Sequence, residues 1–206
     1  NWSAPPRNAI DDYVGVKSAK KKKETSNPTV AIEDDDLLAL LGSLPIDIDK
    51  EEKRHRLRDR AMEWDFALKL SITYGLRPEE VRHEHLLVKK NDKEYMFCSY
   101  CKKSGGGITK PRRLWPIHPE WEEKWHLLER IKKRDPLPRM KAGAGDAFRN
   151  YLRFNEVWKK LKSDLGVVPY SFRHSYSKRA HQIYKLSDTE VSAFMGHSVP
   201  VHNSTY

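Results

Sequence analysis

Three stretches of this 206-residue chain gather residue types suited to chemistry on a charged, oxygen-rich group. YGLRPEEV, residues 74 to 81, stops a helix at Gly75 and sets Arg77 at the start of the next turn, with Glu80 close behind. PYSFRHSYSKRAHQIY, residues 169 to 184, carries Arg173 and His174 on a helix beside Phe172, Tyr176 and Ala180. GHSVPVHNSTY, residues 196 to 206, sets Tyr206 nine residues after His197. A guanidinium stays charged and offers planar paired donors that match phosphate oxygens. A phenol, with a reference pKa of about 10, attacks only when its proton or its developing charge is taken care of. Read one at a time, the stretches are ordinary: a surface arginine, an amphipathic helix with a basic face, and a ragged end.

In that order and spacing, the three stretches resemble the catalytic domain of the tyrosine recombinases, the phage-integrase family of site-specific DNA recombinases. The family's first arginine lies in a T/Y-G-L-R-x-x-E turn, matched by Tyr74 to Glu80. Its second lies in an H-x-x-R-H box, matched by Tyr170-Ser-Phe-Arg173-His174. Its G-H pair precedes the nucleophilic tyrosine by the spacing that separates Gly196-His197 from Tyr206. Each motif alone is weak, whereas the ordered set is specific. The resemblance covers roughly residues 31 to 206 and departs from the family at Tyr170, where histidine or lysine is usual. A phenol donates a hydrogen bond to a phosphate oxygen but carries no positive charge.

The resemblance implies in-line attack of the Tyr206 oxygen on a DNA phosphodiester, giving a 3′-phosphotyrosine link and a free 5′-hydroxyl. Arg77 and Arg173 would clamp the non-bridging oxygens, His197 would hydrogen-bond the same phosphate, and His174 would position it or accept the phenol proton. A hairpin lysine would protonate the leaving 5′-oxygen. In CKKSGGGITKPRRLWPI the choice is Lys103, with Lys102 and Lys110 as rivals. Glu80 would orient Arg77 or a neighbouring base by hydrogen bonding. No metal or other cofactor is implied, because arginine takes the charge-stabilising role. The implied partners are double-stranded DNA and, in the full-length protein, a homotetramer on paired sites, in the cytoplasm at the nucleoid. The family's N-terminal core-binding domain and C-terminal exchange segment are not expected within these residues. Two other functions fit the same residues: a type IB topoisomerase-like nicking-closing enzyme, and a DNA-binding protein of this fold with impaired catalysis.

Composition points the same way. The 39 lysines and arginines exceed the 29 acidic residues, for a formal charge of +10, which favours a polyanionic partner. No apolar run nears the ~18 residues of a spanning helix, and no signal-peptide pattern opens the chain, so no membrane partner is expected. Cys98 and Cys101 form one CxxC with no second pair to complete a zinc site, and read as reduced thiols.

The elements that must position these residues form an α+β, mainly α-helical fold with a small three-stranded antiparallel sheet. Residues 1 to 30 hold the run Lys20, Lys21, Lys22 and Lys23 without apolar periodicity, and read as a basic linker or arm, either a solvated tether or a strap that follows a phosphate backbone. Residues 31 to 206 form the catalytic domain. Asp34 to Asp36 are expected to cap a short leucine helix ending at Gly42. A longer helix from about Lys50 to Tyr74 would bury Leu57, Ala61, Trp64, Ala67, Leu68 and Ile72. Three β-like runs follow, Leu86 to Lys89, Glu94 to Tyr100 and Thr109 to Ile117, with turns at Asn91-Asp92 and Ser104 to Gly107. The last would carry Arg112 and Arg113, with Lys102 and Lys110, to the DNA. PEWEEKWHLLERI reads as one helix begun by Pro119, and Asp146 as the cap of another running through Leu165.

Overall fold

The run DDDLLALLG forms α1, Asp34–Gly42, and buries Leu37, Leu40 and Leu41. This computed structural model describes residues 30–47, 52–83, 86–90, 93–101, 103–104, 107–141 and 143–206; the basic run Lys20 to Lys23 and the Asn91-Asp92 turn lie outside them. The α1 aspartates occupy the first turn, where the helix dipole favours negative charge, but Glu33 holds the N-cap position and no side chain caps it. Asp34 instead pairs with Arg179 and lies 3.3 Å from His118 Nε2.

The long helix is α2, Glu52–Tyr74. Ala61, Trp64, Ala67, Leu68 and Ile72 are buried as their spacing requires, whereas Leu57 is 48% exposed, because α2 meets the core only from its middle onward. Gly75 ends it at φ +60, and a Cβ there would lie 2.6 Å from Tyr176 Cγ, so only glycine allows this turn and this close approach. Arg77 then takes the extended N-cap position of the single-turn helix α3, Pro78–Val81.

Strand β1, Leu86–Lys90, pairs antiparallel with β2, Lys93–Cys98, with Leu86 opposite Phe97 and Lys90 opposite Lys93. Next come β3, Lys103–Ser104, and β4, Gly107–Ile108, which among the described residues pair only with each other. Of the run Thr109 to Ile117 only Arg112–Arg113 forms a strand, β5, set against Cys98 and Phe97 of β2, with Leu114 N donating to Met96 O at 2.9 Å just beyond it. Pro111 and Pro116 flank it and cannot donate to a ladder.

Two expected single helices are each divided. PEWEEKWHLLERI becomes α4, Pro119–Lys124, and α5, Leu127–Lys132, separated by His126 at φ 51. Trp121 and Leu127 would sit about 120° apart on a straight helix; the break turns both into the core, where both are buried. Likewise α6, Ala144–Leu152, stops before α7, Glu156–Leu165, begins. Gly143, not Asp146, is the α6 N-cap, and the Asn155 side chain restarts the helix by accepting from Trp158 N at 2.9 Å.

The remaining helices are α8, Ser171–Gln182, α9, Asp188–Met195, and α10, Val199–Thr205. Among the described residues the chain is therefore mainly helical, with ten helices and a small antiparallel sheet. Helix α8 packs against α2 and α9, and α10 packs on α9. The main core is built around residues such as Trp64, stacked on Tyr151 at 4.6 Å and edge-on to Phe148 at 5.0 Å. A second, smaller core joins Ile117, Tyr176, Ala180, Val191 and Met195, and Leu186 and Tyr206 pack on it. Among the described residues no helix is long and apolar enough to cross a membrane.

Candidate active site

Arg173 lies two residues into α8, and its side chain is wholly buried. The basic surface read from this helix is thus corrected: α8 sits between α2 and α9, so its first two turns, Ser171 to Ser177, all point into protein. A buried guanidinium must have every donor satisfied. Nη1 donates to Gly75 O at 2.6 Å, Nη2 donates to Met195 O and lies 3.0 Å from His197 Nδ1, and Nε donates to Tyr206 Oη at 2.9 Å. One side chain thereby ties the turn after α2, the end of α9 and the last residue of the chain together.

Glu80 is the anionic centre. It is fully buried on α3 and accepts from Arg112 through two parallel bonds, Nη1 to Oε1 and Nη2 to Oε2, each 2.9 Å. Arg77 Nη1 donates to the same Oε1 at 2.7 Å, and Arg77 N donates to Oε2 at 2.9 Å. Arg173 Nη1 lies 3.8 Å from Oε2. Burial would raise the Glu80 carboxyl, but the Arg112 guanidinium first, then Arg173 and Arg77, hold it down at about 2. Glu80 therefore holds Arg77 by hydrogen bonding and anchors two further guanidiniums.

Arg112 is a correction. It was expected to face DNA, yet it is buried, with Nε donating to Phe194 O at 2.8 Å and both terminal nitrogens on Glu80. Strand β5 aims it inward because the buried carboxylate needs a forked partner. Gly196 makes room: at φ +70, a Cβ on it would lie 2.8 Å from Arg112 Nη1, and its carbonyl accepts from Arg77 Nη2 at 3.0 Å.

Tyr206 follows α10 and is not a loose end. Its N donates to His202 O at 2.9 Å, and its ring lies 4.4 Å from the His174 ring, 5.4 Å from His197 and 5.0 Å from His202. Burial pushes the Tyr206 phenol above its ordinary value; Arg173 opposes the shift and Tyr170 adds to it. Burial would also raise Tyr170, but Arg173, then its contact with Tyr206, and Arg77 bring it below its ordinary value. Burial and Arg173 lower His174 to about 4 and His197 to about 3, so both imidazoles are neutral near neutral pH. Among the described residues His174 Nε2 is buried with no hydrogen-bond partner.

Arg77, Glu80, Tyr170, Arg173, His174, His197 and Tyr206 thus converge, and three guanidiniums against one carboxylate leave two positive charges in excess. Such a site is suited to an oxyanion beside a phenol. Lys103 opens β3 opposite Ile108, while its side chain and all of Lys102 lie outside the described residues. Lys110 is exposed. Arg113 is exposed too, with its guanidinium over the rings of Trp115 at 3.8 Å and Tyr95 at 4.3 Å. Cys98 is buried, its thiol pushed up by burial and by Glu80, and Cys101 is a free thiol.

Two members of the cluster were missed in the sequence, Arg112 as a structural partner and His202. His202 is buried, four residues before Tyr206 on the same helical face, and its Nδ1 lies 2.9 Å from His197 Nε2. That spacing was the available signal. Comparison with family models, with curated proteins and with solved structures found no match to this chain.

Proposed function

We propose that this chain is the catalytic domain of a site-specific DNA recombinase that breaks and rejoins strands through a 3′-phosphotyrosine on Tyr206. The observation that carries the reading is the 2.9 Å contact between Tyr206 Oη and Arg173 Nε inside a cluster holding excess positive charge. In this reading Arg173 stabilises the phenol oxygen as its proton leaves, and neutral His174 is the nearby acceptor. Arg77, the least buried of the three arginines by its side chain, meets the phosphate first. Lys103 delivers a proton to the leaving 5′-oxygen. The attacking and leaving oxygens exchange on phosphorus, so the energy of the bond is kept and rejoining needs no nucleotide. The partner is double-stranded DNA, bound at the nucleoid by a homotetramer of the full-length protein on paired sites. A groove of about 620 Å³ lined by Arg149, Arg153, Lys159 and Lys162 adds basic surface for it.

A second reading, a DNA-binding protein of the same fold with impaired cleavage, is favoured by Tyr170 and by the complete internal engagement of Arg173. A nicked suicide DNA duplex separates the two. Cleavage by the wild type leaves a denaturation-resistant protein–DNA adduct that Tyr206→Phe does not form. Duplex binding with no adduct from either protein supports the second reading. Relaxation of supercoiled plasmid without strand exchange would move the function to the type IB topoisomerases.

A further inference from the structure

Three side chains next to the candidate active site form a group that strand cleavage does not use. His181 closes α8, Asp188 opens α9 and His202 lies on α10; one ligand atom from each falls within 4.8 Å of the other two. We propose that His181, Asp188 and His202 bind one zinc-class divalent cation, which staples the helix leading to Tyr206 onto α8 and α9.

The ligand set suits that ion. Two imidazoles and a carboxylate, with a fourth position left for water, match the donors and ligand number of open zinc sites. The outer contacts are those that such ligands require. His181 Nδ1 lies 2.9 Å from Leu186 O, an acceptor only, so Nδ1 carries the proton and Nε2 has the free lone pair. His202 Nε2 faces that lone pair at 2.8 Å, and its Nδ1 has His197 Nε2 as a partner at 2.9 Å. With the Asn203 amide oriented so that its nitrogen faces acceptors, that nitrogen donates to Asp188 Oδ2 at 3.3 Å. Asp188 Oδ1 lies 4.0 Å from His181 Nδ1, on the ring that offers Nε2. An ion at ~2.0–2.1 Å from each nitrogen needs the two Nε2 atoms about half an ångström farther apart. His181 and Asp188 are on the solvent side, so the ion has an entry path and can draw them in.

The site also reaches the candidate active site through proton placement. Arg173 only donates, so without metal His197 accepts at Nδ1 and donates from Nε2 to His202 Nδ1; His202 then donates from Nε2 to His181 Nε2. The chain of bonds runs one way, from Arg173 to Leu186 O. A cation on His202 Nε2 obliges the proton of that ring to sit on Nδ1, where it donates to His197 Nε2. The His197 proton must then move to Nδ1 and face Arg173 Nη2, only 3.0 Å away. Two protons change nitrogen, each within its own ring, and none is released. Two donors aimed at each other repel unless an anion lies between them, so the cation converts His197 from an acceptor for Arg173 into a donor for an oxyanion. Cation and oxyanion then favour each other's binding reciprocally.

The metal site does not depend on strand cleavage, and its test is independent of DNA. Titration of the protein with Co²⁺, followed by its visible d–d absorption, is expected to give one tetrahedral-type ion per chain, displaced by Zn²⁺. Asn203→Ala should weaken binding roughly 10-fold, as loss of an outer partner does, and His181→Ala should weaken it by more than 100-fold. Tyr206→Phe should bind as the wild type does. Nitrogen-15 NMR of the histidine rings should show the His197 proton on Nε2 before Zn²⁺ and on Nδ1 after it. No binding, or equal binding by wild type, His181→Ala and Asp188→Asn, overturns the site. Binding that leaves the His197 tautomer unchanged overturns the coupling.

Discussion

Glu80 shows how much one side chain can hold. Fully buried, it is the shared counter-charge of Arg77 and Arg112, with Arg173 within 4 Å. Glu80→Gln keeps its shape but leaves those guanidiniums without a carboxylate. Breaking a buried ion pair this way costs about 3–5 kcal/mol, which for a chain of this size lowers Tm by on the order of 10 °C. Thermal unfolding of the variant checks it, and a drop within a degree or two of zero would mean that the carboxylate is not the anchor. The family resemblance picks out Arg77, Glu80, Arg173, His197 and Tyr206 as a set, and the fold brings them together. The division of labour among the arginines was not legible in the sequence. A sequence marks Arg112 and Arg113 alike as basic residues of a strand, whereas strand alternation sends the first to Glu80 and the second out over Tyr95 and Trp115.

At the scale of elements, the site is assembled by turns. Gly75 ends α2 and Gly196 ends α9, and their carbonyls accept from Arg173 and Arg77 respectively. Gly75→Ala forces an L-residue to φ +60 and sets a Cβ 2.6 Å from the Tyr176 ring, whose hydroxyl donates to Trp115 O. Left-handed strain of about 1–2 kcal/mol adds to an overpacking cost of about 1–3 kcal/mol. Urea unfolding should therefore place Gly75→Ala several kcal/mol below the wild type; an alanine variant of wild-type stability would contradict the close approach. The stop at Gly75 was readable because glycine after a periodic run is a strong terminator. The breaks at His126 and between Leu152 and Glu156 were not, since the residues there are compatible with helix and only the shared core decides that Trp121 and Leu127 both turn inward. Taken alone, the stretch ending at Tyr206 is a ragged end; the second core, around Tyr176 and Met195, holds it.

For the whole molecule, the buried polar cluster sets how stability depends on acid. His174 is held neutral down to about 4 from an ordinary 6.5, and Glu80 stays ionised down to about 2 from an ordinary 4.5. Both bind protons more readily unfolded than folded, so their contributions are fully present above pH 6.5. The His174 contribution is lost as pH falls from 6.5 toward 4, and that of Glu80 from 4.5 toward 2. Urea midpoints between pH 7 and pH 3 should fall monotonically, and the lower part of the fall should flatten in Glu80→Gln. Midpoints that rise on acidification would contradict this sign. The net charge of +10 pointed to a polyanion from composition alone, but no composition tells which phenol in a basic pocket reacts. Tyr170 and Tyr206 meet beside the same Arg173. The direct measurement is peptide mass spectrometry of the covalent adduct trapped on a nicked duplex after nuclease and protease digestion. The nucleotide remnant is predicted on Tyr206; a remnant on Tyr170, or on any other residue, would contradict the account.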